Sequence, residues 1–294
     1  DKLQRKLMAL PQVNELHGEG YPVLLRGIRE QLRIFREANV AIQAELRSMA
    51  QEYSAVIGAM SVSWKGEEIT MPKAAAILES PDRSERHAIY DLVATRRAQD
   101  SGKLAELFHA MVAKRDTMAT NAGFVNFRDY MYSALGRFDH TPDDALAFHQ
   151  SVEQDVLPVV DRLHRERQEA LGLTELRPWD LAVDPSGKPP LRPFQDADQL
   201  VQLTRAVFDR LDPWFSQCIA AMQELGRLDL SSRDGKAPGG YNYPLYETGA
   251  PFIFMNAVGT TDDVITMVHE GGHAIHSFLT HPLPLTGFKN FPSE

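Results

Sequence analysis

Along most of the chain, apolar residues recur at three- and four-residue steps with polar residues between them. Between Tyr21 and Ile57 this spacing picks out Leu24, Ile28, Leu32, Phe35 and Ile42. It predicts a long amphipathic helix with room for an interruption. The pattern changes near Met60. Met60, Val62 and Trp64 alternate, Lys65-Gly66 offers a turn, and Ile69 and Met71 alternate again, which predicts a β-hairpin near 60–71. Helical spacing then returns. Ser80-Pro81 interrupts it, and Asp82 or Ser84 is placed to cap the next segment.

Further helices are predicted over 101–121 and again through the aromatic-rich stretch that ends near Leu135. Another is predicted over 141–173, with Thr141 as cap, Pro142 in the first turn and Pro158 as the site of a kink. The proline-rich segment 177–194 reads as a loop or a boundary between substructures, and 196–225 as helix. Residues 229–261 are the least helical part, holding five glycines and three prolines. Within them the apolar run Pro251–Val258 suits a strand. No repeat of fixed period and no low-complexity tract occurs. The expected organisation is an N-terminal helical region over 1–95, carrying the hairpin, followed by a second region over 96–294.

Composition narrows the function classes. With 294 residues and 43% hydrophobic content the chain can bury a sizeable core, in one large or two coupled domains. A formal charge of −9 argues against nucleic acid and against anionic membranes as partners. The single cysteine, Cys218, rules out a disulfide within the chain and a cysteine zinc cluster, and it fits a reducing compartment. No apolar run is long enough for a transmembrane helix. The chain opens at Asp1 without an initiator methionine, which leaves open an upstream targeting segment.

The candidate chemistry lies between Asp262 and Phe278, in the run DDVITMVHEGGHAIHSF. Thr260 or Thr261 can cap a helix here, and Asp262 and Asp263 suit its positive end. At about 100° per residue, His269 and His273 lie roughly 40° apart and one turn apart. Two imidazoles so placed can reach one tetrahedral zinc ion, and Glu270 can reach a water bound there and act as its base. The competing reading is an ordinary helix with two surface or core histidines. Gly271 and Gly272 weaken a helix by about 1 kcal/mol each relative to alanine, so something must approach the helix closely there. His276 lies on nearly the same face as His273. It would compete geometrically with His269 as a ligand, so a packing role, or one supporting the ligands from outside, is expected of it. His281 and the six histidines nearer the N-terminus read as ordinary loop, surface or core residues.

The run from Gly239 to Ser277 resembles the oligoendopeptidase F branch of the thimet oligopeptidase-like zinc metallopeptidases. The matching features are Gly239-Gly240-Tyr241, Pro251-Phe252 leading to Asn256, Asp263-Val264, and His269-Glu270-x-x-His273-x-x-His276-Ser277. Segments 64–90, 121–135 and 171–181 are similar to the same branch, so the likeness covers most of the chain from about Tyr21 onward. It implies a mainly α, zincin-like fold with small β elements and a deep channel. It also implies a usually cytosolic zinc endopeptidase that cuts short peptides. Residues 96–294 would form the N-terminal part of the catalytic domain. Gly239, Gly240 and Tyr241 would line the channel and bind peptide, with Asp263 supporting the site from outside the metal's own ligands.

The family's third metal ligand is a glutamate on a later helix, about one turn beyond the position of Glu294. Ser293 would cap that helix, Glu294 is not expected to be the ligand, and the groups that stabilise the oxyanion would lie further downstream. On this reading the chain is cut at both ends and carries about half of the enzyme. Two alternatives stand beside it. One is a different zinc hydrolase, such as a carboxypeptidase or a protease of larger substrates. The other is a helical module that only binds.

Overall fold

The computed structural model describes residues 2–289. Helices dominate it, with five short strands among the described residues. None of these helices is long and apolar enough to cross a membrane. Backbone contacts divide the chain into two units, each discontinuous in sequence. One takes in the chain up to Glu52, Lys103–Asp161 and the stretch from Pro284 on. The other takes in Tyr53–Gly102 and Arg162–Leu283.

The long helix predicted after Tyr21 is broken in two, Tyr21–Ile34 in the first unit and Ala38–Gly58, whose first part up to Glu52 belongs to the same unit. Phe35 adopts an extended backbone (ψ 129°), which stops the first helix. Arg36 offsets the break: its guanidinium donates to the carbonyls of Arg33, Phe35 and Ala122, groups that a helix end leaves without partners. Asn39, 3% exposed, anchors the second helix by donating to the Met118 carbonyl and accepting from Asn121. The core here is Ile34, Met118, Ala119, Ala122 and Tyr130, with Ile42, Leu46 and Phe127 packed against it. Thr141 caps the next helix through a reciprocal bond with Asp144, as its sequence predicts. At Pro158 the helix does not break. The turn before it, Val152–Val156, widens to π geometry and the α-helix resumes at Leu157–Ala170. A proline ring crowds the carbonyl four residues back, here that of Gln154, and a wider turn makes room for it.

The second unit begins with the predicted hairpin. β1 (Ser61–Trp64) and β2 (Glu67–Thr70) pair antiparallel around Lys65 and Gly66, which have φ of 52° and 89°. Two successive positive φ values suit the right-handed twist of a tight hairpin. Val62, Ala74 and Ile89 form a small core beneath it. Asp82 caps the helix Arg83–Gln99 by accepting from the Ser84 N–H.

The main core of this unit lies between two helices, Ala197–Asp209 and Pro213–Glu224, a three-stranded sheet, and the helix Thr261–Thr280. The sheet has the order β3 (Leu228–Ser231), β5 (Phe252–Ala257), β4 (Tyr241–Tyr243). β3 runs parallel to β5 and β4 antiparallel to it, so β4 is an edge strand among the described residues. Alternation along β5 puts Ile253 and Met255, 0% and 1% exposed, on the core face. There they join Leu200, Phe208, Ile219, Met222 and Met267. Burying each such side chain contributes about 1.5–3 kcal/mol, and this core fixes where the histidine-bearing helix lies against the sheet.

Candidate metal centre

The start of the histidine helix is set by a reciprocal cap. Thr260 accepts from the Asp263 N–H, and Asp263 Oδ2 accepts from the N–H groups of Val258, Gly259 and Thr260 and from the Thr260 hydroxyl. Of the two threonines the sequence offers, Thr260 is the cap. Asp263 therefore acts at the helix start, and these four bonds all come from the loop that leads in from β5.

Packing then fixes the rotation of the helix. Met267, Gly271, Ala274 and Ile275 are buried, while His269, Gly272 and His273 are exposed. His269 Nε2 and His273 Nε2 lie 3.2 Å apart, with ring planes at 88°. Two Zn–N bonds at a near-tetrahedral angle hold their nitrogens about 3.2–3.4 Å apart. The pair thus has the spacing that one shared zinc ion requires, provided both Nε2 lone pairs are free of protons. The donor set fits the metal. Glu270, 8% exposed, sits about 100° round the helix from His269, on the flank where the histidine face meets the core. His276 is half-buried one turn beyond His273. Among the described residues no group of three or more His, Cys, Asp or Glu side chains converges on one point. Glu294 lies outside the described residues.

The two glycines have different reasons. A Cβ on Gly271 would lie 2.7 Å from Phe208 Cε2 and 3.0 Å from its Cζ, whereas one on Gly272 would meet nothing within 4 Å. Phe208 is 4% exposed and its ring meets Phe215 edge-on, so it has little freedom to retreat. Overpacking of this kind costs about 1–3 kcal/mol, against about 1 kcal/mol gained in helix propensity. Thermal melts are expected to show Gly271→Ala melting below the parent and Gly272→Ala above it. The reverse order would mean that the helix is rotated differently.

The glycine-rich loop lies beside the same helix. Gly239 has φ of 88°, and a Cβ on Gly240 would lie 3.3 Å from Thr266 Cγ2. Thr266 precedes His269 by one turn, so glycine at 240 lets β4 begin against the turn of the helix that leads into His269. Asn256 holds the loop in place, its Nδ2 donating to the carbonyls of Ala237 and Gly239 at 2.9 Å each. Tyr241 stacks on Phe254 at 4.9 Å. The structure therefore brings Gly239, Gly240 and Tyr241 to the helix that carries His269, Glu270 and His273. Sequence reading assigned no role to Asn256, whose only mark was its place in the matching run, and none to Lys236.

Residues 76–286 match the family described as Peptidase family M3. The chain belongs to that family. A group B oligopeptidase PepB from Streptococcus agalactiae serotype III (strain NEM316) is 25% identical over 218 residues, covering 74% of this chain and 35% of that protein. An oligoendopeptidase F homolog from Lactococcus lactis subsp. lactis (strain IL1403) is 24% identical over 213 residues, covering 72% and 34%. Among solved structures, PZ peptidase A with an inhibitor superposes with a TM-score of 0.91 at 27% identity, covering 97% of this chain and 50% of that one. A Bacillus anthracis str. Ames protein assigned as an oligoendopeptidase F gives 0.89 at 26%, covering 96% and 52%. These relatives place the M3 chain in the oligoendopeptidase F branch. The chain spans about a third of the length of the curated relatives and about half of the solved ones.

Proposed function

We propose that this M3 family protein is a zinc-dependent metalloendopeptidase that hydrolyses short oligopeptides. The observation that carries the reading is the 3.2 Å convergence of the two Nε2 atoms on one exposed helix face. His269 and His273 would hold the metal there. When bound, zinc supplies a Lewis acid that polarises a water and the scissile carbonyl. Glu270, next to the first histidine, takes the proton from that water on its carboxylate and gives it to the departing amine. An extended peptide pairs with the edge of β4, and the loop residues Gly239 and Gly240 with the first strand residue Tyr241 bring it alongside the histidine face. Asp263 contributes by fixing where the helix starts, and His276 by supporting the ligand face from one turn further on. The lone cysteine supports a cytoplasmic setting.

The test is cleavage of a short quenched fluorogenic peptide by the zinc-loaded protein at the full length of its relatives. Internal cleavage that stops on chelation and returns with zinc is expected. Cleavage indifferent to chelation, or none with zinc present, would contradict the reading.

A further inference from the structure

Lys236 is an unusual loop lysine because it is buried. Its side chain is 1% exposed. Nζ donates to the Asp229 carbonyl at 3.0 Å, to Asp229 Oδ1 at 3.0 Å and to the Ser231 carbonyl at 2.9 Å. All three ammonium protons are therefore used, and all three tie the 232–240 loop back to β3. The same ammonium lies 4.4 Å from the centre of the Phe254 ring on β5, within the range of a cation–π contact. Phe254 in turn stacks on Tyr241 of β4. Arg233 grips the same Asp229 carboxylate with both of its terminal nitrogens, at 2.6 and 2.8 Å. The backbone is also confined, since a Cβ on Gly58 would come within 2.9 Å of the Lys236 carbonyl oxygen.

Burying an ammonium is costly, and an apolar side chain of similar volume would fill the space with less penalty. What the lysine supplies and an apolar residue would not is a link across the sheet. It joins β3 by hydrogen bonds to β5 by its charge over Phe254, and through Phe254 to the edge strand. We propose that Lys236 is a positioning residue that holds β4 in register as the docking edge for peptide. This rests on the peptidase reading above.

The test compares the full chain with Lys236→Met, which keeps the length of the side chain and removes its charge. Three quantities are measured: zinc affinity, hydrogen exchange of amides 239–243, and the dissociation constant of a fluorescent short peptide. The last uses a Glu270→Gln background so that the peptide survives. The expected result is peptide binding weaker by about ten-fold, faster exchange over 239–243, and zinc affinity within about two-fold of the parent. Phe254→Leu leaves the lysine's three hydrogen bonds in place but removes the ring. It should weaken peptide binding in the same direction, and it decides the matter if Lys236→Met fails to fold. Unchanged peptide binding in both variants, or zinc affinity falling in step with peptide binding, would overturn the proposal. If the parent binds no peptide, the peptidase reading falls and takes this role with it. If the parent binds and the variants bind equally, only the role of Lys236 falls.

Discussion

Glu270→Gln is expected to lower peptide turnover by at least about a hundred-fold while zinc affinity stays within about two-fold of the parent. The substitution exchanges a carboxylate for a carboxamide of nearly the same size. That matters on a flank where Glu270 is 8% exposed, because a larger change would also disturb packing. A carboxamide cannot accept the proton that water must lose, so the chemical step is blocked with the metal site intact. The check is a kcat measurement beside a zinc titration and a thermal melt. Turnover near the parent value would remove Glu270 from the role of base. A parallel loss of zinc would instead make it part of the metal site.

The second large effect is on stability. Asp180 is 0% exposed at the end of a short turn, Pro178–Asp180, in the proline-rich loop. Its carboxylate accepts from Arg83 Nε at 3.0 Å and Nη2 at 2.9 Å, from Arg86 Nη2 at 2.8 Å and from the Arg177 N–H at 3.0 Å. Arg86 also donates to the carbonyls of Trp179, Ser80 and Pro81, and its side chain is 3% exposed. The group thus pins the loop to the helix Arg83–Gln99. Asp180→Ala leaves the Arg86 cation buried without its counter-charge, and is expected to cost about 3–5 kcal/mol in denaturant unfolding of the second unit. A loss below about 1 kcal/mol, the level of an exposed ion pair, would show that solvent reaches the group.

The same group sets an acid limit. Burial alone would raise the Asp180 carboxyl, but the hydrogen bonds from Arg83 and Arg86 and from the Arg177 N–H outweigh it and hold the carboxyl down at about 2. An unfolded aspartate titrates near 3.9. The folded value is the lower one, so the contribution is fully present above about pH 4 and is lost as pH falls through about 2, an amount of roughly 2 kcal/mol. The parent should lose this increment in that window, and Asp180→Ala should lack it.

What the sequence shows and hides follows from how local each feature is. The Lys65-Gly66 hairpin, the Thr141 cap and the histidine helix are legible because they depend on turn chemistry and on spacing within a few residues. The interruption at Phe35 could be suspected but not placed, since it depends on Arg36 and Asn39 finding carbonyl partners about eighty residues away. β3 and β4 have four and three residues, too few for alternation to register, and β3 pairs with a strand more than twenty residues on. Gly271 and Gly272 look alike in sequence, and only the position of Phe208 separates them. Nothing local in the sequence marks Asp180 or Lys236, because their burial is created entirely by tertiary contacts. Within the site, the positions of the histidines could be read from helical periodicity. The clamp of Asn256 on the glycine loop needed the sheet to be known.

His269 and His273 are proposed to share one metal ion. Equilibrium titration of the chain with zinc, repeated with His269→Ala and with His273→Ala, tests it most directly. One saturable site per chain is expected, weakened at least about ten-fold in each variant. No saturable site, or a site unchanged in both variants, would contradict it.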